Sequence, residues 1–254
     1  MSFARYPSLE DRVVFISGGG TGIGASLVEH FAAQGAKVGF VDIQDEPSQA
    51  LAARLAAGAR HAPVFLHADV TDIPAYQATI GEIGRRLGPI TVLVNNAARD
   101  DRPKLDEVTP EYWDRCLSIN MRHQFFAAQA VAEPMAAAGG GSIINFGSVS
   151  WMRKVGGMVA YTTSKAAING LTRTLARELG PRNIRVNCIV PGAIVTERQM
   201  KLWSTPDSEK AMLENQCLKF RLQPAEVARM ALFLAADDSR GCTAQNFIVD
   251  AGIS

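Results

Sequence analysis

The sequence predicts an α/β fold in which one doubly wound parallel sheet of seven strands carries helices on both faces. Two observations lead to this prediction. Short β-branched runs alternate with longer amphipathic segments, which is the pattern of a strand, a crossover helix and a parallel strand. The alternation continues without a linker, and the 254 residues, 47% of them hydrophobic, are enough to bury one large core. We therefore predict a single domain over residues 1–254.

The first helix is predicted between the first two strands of the sequence. Residues 13–16 form a continuous apolar run followed at once by glycines, which predicts a buried central strand. A helix should then extend from Gly22 to a cap at Gly35, because apolar residues recur every four positions between them. The second strand, residues 38–41, ends at Asp42.

The rest of the chain repeats this alternation. Thr109 and Pro110 mark one helix start, a capping hydroxyl followed by proline at the first helical position. Apolar side chains at four-residue spacing should line a face of that helix that must be covered: Trp113, Leu117, Met121 and Phe125. Further strands are predicted at residues 64–66, 92–94, 143–146, 184–190 and 247–249, and further helices around 51–55, at 73–87, at 161–179 and from Pro224. The segment near 193–220 has no clear period and is predicted to be a mobile flap.

Composition and spacing argue against several functions. The formal net charge is +1 and there is no run of Lys or Arg, so we expect a small-molecule substrate rather than nucleic acid or a membrane. The four cysteines and four histidines lack metal-ligand spacing, so no metal is expected. Neither a signal peptide nor a membrane-spanning run is expected, which favours the cytoplasm.

The segment after the first strand is a predicted phosphate-binding loop. Residues 17–24 are Ser-Gly-Gly-Gly-Thr-Gly-Ile-Gly, between a buried strand and an amphipathic helix. Glycine permits positive φ and close backbone approach, and the helix N-terminus offers free N–H groups to a pyrophosphate. In this context the loop predicts a dinucleotide-binding Rossmann fold. Its candidate cofactor contacts are Gly18, Thr21, Gly22, Ile23 and Gly24.

Three other strand ends supply candidate contacts at the same edge of the sheet. The Asp42 carboxylate can accept hydrogen bonds from an adenosine ribose and would repel a 2′-phosphate. No Lys or Arg closely follows Asp42 to pair with such a phosphate, so NAD is favoured over NADP. The residues after the third and fourth strands are interpreted as adenine and backbone-positioning contacts, with ordinary turn residues as the alternative: Asp69, Val70, Asn96 and Ala97.

Tyr161 and Lys165 are the candidate reacting pair. They are four positions apart at the start of a predicted helix, so their side chains lie on one face. The lysine ammonium should lower the pKa of the phenol from about 10 toward working pH. Tyr161 would then be the general base in oxidation and the general acid in reduction, with Lys165 holding the nicotinamide ribose. Ser148, directly after the fifth strand, could hydrogen-bond the reacting oxygen.

These motifs, in this order, resemble the short-chain dehydrogenase/reductase family over residues 12–252. The family's Thr-Gly-x-x-x-Gly-x-Gly is similar to residues 17–24, and its Asn-Asn-Ala-Gly to residues 95–98. Its Tyr-x-x-x-Lys motif, with a serine thirteen residues earlier, and its Pro-Gly turn resemble the remaining matched residues: Ser148, Tyr161, Lys165, Pro191 and Gly192. The resemblance implies that the tyrosine, the lysine and the Pro-Gly turn also contact the cofactor.

The resemblance has three further implications. Asn120 matches the family's catalytic asparagine, which distorts its helix and holds a water in a proton relay. A homotetramer would form through the helices around Asn120 and Tyr161. Three departures put loop geometry rather than reacting groups in doubt: Ser17 replaces threonine, Ala98 replaces glycine, and Ala251 replaces the first glycine of Asp-Gly-Gly.

Within the family, residues 95–102, 109–114, 122–126 and 216–218 resemble those of bacterial aldose 1-dehydrogenases acting on D-xylose, L-arabinose and similar sugars. This implies oxidation of the anomeric hydroxyl of a monosaccharide to a lactone. A sugar needs polar crevice walls, and the residues considered for them are Arg99, Asp100, Arg102, Glu197, Arg198 and Gln199, with Trp151, Met152 and Trp203 as stacking or apolar surfaces. The alternative for each is an ordinary loop residue, so none is counted among the site residues. The alternatives are the same chemistry on a polyol, a secondary alcohol or a 3-oxoacyl substrate, and an NADH-binding regulator without turnover.

Overall fold

Seven parallel strands form one sheet in the computed structural model, which describes residues 3–154 and 156–254. The strands are β1 (Val13–Ser17), β2 (Lys37–Asp42), β3 (Val64–His67), β4 (Val92–Asn95), β5 (Gly141–Phe146), β6 (Ile184–Pro191) and β7 (Asn246–Val249). Their order across the sheet is β3-β2-β1-β4-β5-β6-β7, with every neighbouring pair parallel. The chain winds outward from β1 in one direction and then in the other, which confirms the predicted doubly wound sheet.

Helices cover both faces of this sheet. Those in the described ranges are α1 (Gly22–Ala33), α2 (Asp45–Ala56), α3 (Ile73–Leu87), α4 (Pro110–Leu117), α5 (His123–Ala137), α6 (Val159–Leu179), α7 (Glu197–Trp203), α8 (Pro206–Asn215) and α9 (Pro224–Ala235). One core cluster joins α1 and α9 to Val14 and Ile16 of β1, and the other joins α3, α5 and α6 to Val13 and Phe15. Within residues 3–154 and 156–254, no helical segment combines the length and hydropathy needed to cross a bilayer.

The segment near 193–220 contains two helices that the sequence analysis did not predict. The Thr196 hydroxyl caps α7 by accepting a hydrogen bond from Gln199 N at 3.2 Å. Thr205 caps α8 and is followed by Pro206 at the first helical position. Neither helix has a buried residue, so neither shows the apolar periodicity by which longer helices are recognised. The capping residues were the only local signal available.

The helix predicted from Pro110 through Phe125 is interrupted. A π-helical segment, Ser118–Arg122, separates α4 from α5. The four apolar residues predicted to line a face that must be covered are only partly covered within the chain: Phe125 is 39% exposed, and the other three are half-buried. The core side is lined instead by polar and small residues, which hydropathy does not identify as buried: Cys116, Asn120, His123, Gln124, Ala127 and Ala128.

Ala251 and Gly252 form a C-terminal turn in which both residues have positive φ, 57° and 75°. Their carbonyl oxygens accept hydrogen bonds from Leu218 N and Cys217 N, so the turn joins the end of the predicted flap to the segment after β7. A Cβ in the left-handed region clashes with the following carbonyl, at a cost of roughly 1–2 kcal/mol. The departure from glycine at Ala251 is therefore a local strain in the backbone.

Ala251→Gly should raise the free energy of unfolding by about 0.5–1 kcal/mol, which is the relieved strain less the larger chain entropy of an unfolded glycine. The adjacent change Gly252→Ala should lower it, because an added Cβ would lie 2.8 Å from Cβ and Sγ of Cys217. Chemical denaturation of both variants beside the unmodified protein measures the two effects. Equal stability of all three proteins would show that the turn is not strained.

Candidate active site

The carboxyl ends of the strands open into a cleft of about 1510 Å³. Pockets for single small ligands are roughly 300–1,000 Å³, so this cleft has room for a dinucleotide and a substrate together. Three of the four candidate reacting residues line it, namely Ser148, Tyr161 and Lys165. All of the other candidate cofactor contacts line it as well: Gly18, Thr21, Gly22, Ile23, Gly24, Asp42, Asp69, Val70, Asn96, Ala97, Pro191 and Gly192.

The glycine loop between β1 and α1 is folded too tightly for side chains. Gly18 has a φ of 66°, and a Cβ there would lie 2.8 Å from Cα of Ala97. A Cβ on Gly24 would lie 1.7 Å from the carbonyl oxygen of Gly18. The N-cap residue of α1, Thr21, makes no side-chain capping hydrogen bond, and the first turn has no acidic residue. The first N–H groups of α1 are therefore available to an anion, and the loop fits the pyrophosphate of a dinucleotide.

Ser17 connects the glycine loop to the segment after β4. Its Oγ accepts hydrogen bonds from the backbone N–H groups of Asn96 and Ala97 at 3.1 and 3.2 Å. In return, Asn96 Nδ2 donates to Gly18 O at 2.8 Å. The hydroxyl that serine shares with threonine makes these contacts, so the departure at position 17 leaves the connection between the two loops intact.

Asp42 stands at the end of β2 with its carboxylate oriented by two backbone groups. Oδ2 accepts a hydrogen bond from Gly20 N at 2.9 Å, and Oδ1 accepts one from Gln44 N at 3.0 Å. The residue is 8% exposed and lines the cleft. Among the described cleft residues, the neighbouring stretches 42–44 and 68–71 contribute no cation.

The residues that follow β3 and β6 line the cleft and also make structural contacts. Asp69 Oδ1 accepts hydrogen bonds from the backbone N and the hydroxyl of Thr71, both at 2.8 Å, as a turn-forming carboxylate does. Gly192 follows β6 where a Cβ would lie 2.7 Å from Cα of Asp250. The turn interpretation of Asp69 therefore has direct support, although the residue also faces the cleft.

The candidate reacting group is assembled from the end of β5 and the start of α6. Ser148 Oγ accepts a hydrogen bond from Ser150 N at 3.2 Å, and the serine lines the cleft together with Tyr161. Lys165 is 1% exposed, and its Nζ donates to Phe146 O at 2.8 Å. The same Nζ lies 5.8 Å from the centre of the Tyr161 ring. The last residue of β5 therefore supplies the carbonyl that holds the lysine, and the serine follows two positions later.

The pKa values differ from the sequence-based expectation. Burial raises the pKa of Tyr161 to about 12, although the neighbouring Ser148 side chain acts to lower it. Burial also lowers the pKa of Lys165 to about 8. The prediction that Lys165 lowers the pKa of Tyr161 was therefore wrong for the protein alone. The cost of desolvating a phenolate dominates, and the ammonium is engaged with the Phe146 carbonyl.

Asn120 lies behind the cleft wall in the π-helical segment and is 1% exposed. Its Nδ2 donates to Cys116 O at 2.9 Å, the carbonyl one turn earlier, and to Arg99 O at 3.0 Å. Its Oδ1 accepts a hydrogen bond from Arg99 N at 2.8 Å. The side chain thus joins the distorted part of the helix to the segment after β4.

Two residues at the site were missed by sequence reasoning. His123 is fully buried, and its Nε2 donates to Ala97 O at 3.1 Å. Burial lowers the pKa of His123 to about 3, so its ring is neutral at ordinary pH. Its only signal in the sequence was its position three residues after Asn120 on the same helical face. Thr196 lines the cleft and was recognisable only as the first residue of a Thr-x-x-Gln cap.

The outer end of the cleft is polar. All six residues that we proposed as polar walls line it: Arg99, Asp100, Arg102, Glu197, Arg198 and Gln199. Trp203 also lines it, with the Arg102 guanidinium 4.3 Å from the ring centre. Trp151 and Met152 are not part of the lining, and Met152 packs against a small core cluster instead. For these two residues the structure therefore supports the alternative of ordinary loop residues.

The chain matches one protein family over most of its length. The sequence model of the family described as enoyl-(acyl carrier protein) reductase matches residues 18–254. A protein of Rhizobium meliloti (strain 1021) named "Probable galactose dehydrogenase" is 52% identical over 250 residues, which cover 98% of each chain. The D-xylose 1-dehydrogenase of Caulobacter vibrioides (strain NA1000 / CB15N) is 51% identical over 252 residues, which cover 99% of each chain.

A solved structure adds a bound cofactor to the comparison. The blue fluorescent protein from a metagenomic library, in complex with NADPH, is 35% identical to this chain. The two superpose with a TM-score of 0.89, over 97% of this chain and 99% of that one.

Proposed function

Because the chain belongs to the short-chain dehydrogenase/reductase family, and is an oxidoreductase that uses a nicotinamide cofactor, we propose that it oxidises the anomeric hydroxyl of an aldose to a lactone with NAD. One observation carries the proposal: Tyr161, with Ser148 and Lys165, lies in the same cleft as the dinucleotide loop, and the outer end of that cleft is polar. The names of relatives at 51% and 52% identity favour a sugar among the substrates of this family.

In the proposed reaction, Tyr161 Oη takes the proton of the anomeric hydroxyl as the C1–O bond becomes a carbonyl. The Ser148 hydroxyl hydrogen-bonds the same substrate oxygen and fixes its distance from the phenol. When bound, oxidised nicotinamide supplies the acceptor for the C1 hydride and a positive charge that favours the Tyr161 phenolate. The Lys165 ammonium, protonated at neutral pH because its pKa is about 8, adds a second positive charge.

Asn120 completes the proposed catalytic group. We propose that it holds a water through which the proton passes from Lys165 to solvent. Support comes from its burial in the π-helical segment, where its amide contacts Cys116 O in place of a regular backbone N–H. Asn120 thus lies in a local distortion of the helix. Distortions of this kind are rare and occur frequently at functional sites.

The preference for NAD is proposed from Asp42. Its carboxylate is fixed by two backbone N–H groups, and the neighbouring described stretches of the cleft contain no cation to pair with a 2′-phosphate. The other proposed cofactor contacts are the lining residues of the glycine loop and of the strand ends, together with Tyr161 and Lys165.

We also propose that the protein is cytoplasmic and that it forms a homotetramer through α5 and α6. Phe125 on α5 is 39% exposed and Val159 at the start of α6 is 46% exposed, which is apolar surface that an assembly would bury. In this proposal, residues 193–220 act as a mobile flap over the substrate.

The proposed function predicts rapid NADH formation from at least one aldose at mildly alkaline pH. The measurement follows NADH absorbance with D-xylose, L-arabinose, D-galactose, L-fucose and D-glucose, beside a polyol, a secondary alcohol and a 3-oxoacyl thioester. Turnover of one aldose at a kcat/KM at least a hundredfold above the controls is the expected result. Turnover of a control alone would assign the same chemistry to another substrate. Tight NADH binding without any turnover would favour a regulator.

A further inference from the structure

A network of charged and amide side chains joins the segment after β4 to α7 at the outer end of the cleft. The carboxylate of Asp100 is at its centre. Oδ2 accepts hydrogen bonds from Gln199 Nε2 at 2.8 Å and from a terminal nitrogen of Arg102 at 3.3 Å. Oδ1 accepts one from Arg198 Nε at 3.3 Å. Three donors from two separate segments therefore fix the position of this carboxylate.

Asp100 is the most enclosed ion of this network. Its side chain is 15% exposed, compared with 30% for Arg102 and 43% for Arg198. An ionised carboxylate has about four acceptor positions, and the protein donors occupy three of them. Oδ1, with a single protein donor, retains capacity for another hydrogen bond. Because Asp100 lines the cleft, a donor on the substrate can reach that position.

The network lies close to the reacting tyrosine. The charge of Asp100 raises the pKa of Tyr161, and the charge of Arg102 lowers it. The network combines a carboxylate, guanidinium groups and an amide, so this wall offers both hydrogen-bond donors and acceptors. Such a wall suits an uncharged substrate with several hydroxyls, whereas an acyl chain would leave the polar groups without partners at a large cost in binding.

We propose that Asp100 is a specificity-determining residue, which accepts a hydrogen bond from a substrate hydroxyl away from the reacting carbon while Arg102 and Gln199 hold its carboxylate in place. The inference rests on the proposed function, because it requires a polyhydroxylated substrate. The inference names Asp100 as the protein group that distinguishes a polyhydroxylated substrate from the monohydroxylated and acyl substrates that undergo the same reaction.

Asp100→Asn and Asp101→Asn form a matched pair for the test. Asp101 also forms an ion pair with Arg198, at 2.9 Å, and another with Arg99, at 2.6 Å. It does not line the cleft. Both changes remove one negative charge and one partner of Arg198, but only the first changes the surface that the substrate meets.

The experiment measures kcat/KM of the three proteins for the best aldose and for its single-position deoxy analogues. Asp100→Asn should lower kcat/KM for the aldose by about tenfold to a hundredfold, the usual value of a hydrogen bond to a charged group. One deoxy analogue should lose a similar factor with the unmodified enzyme and little more with Asp100→Asn, because the analogue lacks the hydroxyl of the same hydrogen bond that the loss of the carboxylate charge weakens. Asp101→Asn should stay within about threefold throughout.

NADH binding, followed by fluorescence, should be unchanged in both variants and shows that they are folded. The inference is overturned if Asp101→Asn loses as much activity as Asp100→Asn, since the network would then only hold α7 in place. It is also overturned if every deoxy analogue loses the same factor with both enzymes. An unmodified enzyme that turns over no aldose would remove the proposed function together with this inference, whereas normal aldose turnover with an unaffected Asp100→Asn would remove the inference alone.

Discussion

Tyr161→Phe should lower kcat for oxidation by about a hundredfold to ten-thousandfold, the usual contribution of a general acid–base group. The change removes one oxygen and leaves the ring between Ser148 and Lys165, so the shape of the cleft is retained. NADH affinity, measured by the fluorescence of the bound dinucleotide, should therefore stay within about twofold. A loss of turnover with intact binding separates a chemical role from a structural one.

Tyr6→Phe is the matched control for this change. Tyr6 is half-buried and lies outside the cleft lining, and burial raises its pKa as it does that of Tyr161. The control should retain full activity. If Tyr161→Phe keeps more than a tenth of the normal kcat, another group takes the proton and the assignment is lost.

Asp42→Asn should raise the ratio of kcat/KM with NADP to kcat/KM with NAD by about tenfold to a hundredfold. The substitution removes the negative charge that opposes a 2′-phosphate and weakens the acceptor for the ribose hydroxyls, and each effect is the size of a charged hydrogen bond. Asparagine keeps an oxygen for Gly20 N or Gln44 N, so it disturbs the loop less than alanine would. Initial rates with both cofactors at a saturating concentration of substrate give the ratio.

Asp45→Asn provides the control for cofactor choice. Asp45 is three positions further on, is hydrogen-bonded to His67 and does not line the cleft, yet its substitution changes the net charge equally. The ratio of kcat/KM with NADP to kcat/KM with NAD should be the same for Asp45→Asn as for the unmodified enzyme. If the two variants shift the ratio equally, or if Asp42→Asn leaves it unchanged, cofactor choice does not depend on the position of the Asp42 carboxylate.

The central strands of the sheet were predictable because they are buried on both faces. A run such as residues 13–16 contains no polar residue, and parallel strands of this kind alternate with helices along the chain. The helices α7 and α8 were not predictable by the same means, since neither buries a residue. The side of α4 and α5 that faces the core was not predictable from hydropathy, because Asn120 and His123 are polar residues whose burial depends on partners 21 and 26 positions away in the sequence.

Within the candidate site, positions were easier to predict than energies. Strand ends and helix starts bring residues to the same edge of a sheet whatever their chemistry, so Ser148, Tyr161 and Lys165 could be placed together from spacing alone. The pKa of Tyr161 depends instead on how far its hydroxyl is desolvated and on where the lysine ammonium points. Neither quantity can be read from residue spacing. The hydrogen bond from Lys165 to Phe146 O decides where the ammonium points.

The hydrogen bonds between Ser17 and the segment after β4 join residues that are 79 and 80 positions apart, whereas Ser148 and Lys165 are separated by only 17. The two halves of the cleft therefore differ in the chain entropy lost when they form. The unit from β5 to α6 joins elements that follow one another in the chain, but the dinucleotide half requires β1 to pair with β4 across two strands and three helices. We expect β1–β4 pairing to be a slow event in folding, and the capacity to bind NADH to return later than helix content when the denatured chain refolds.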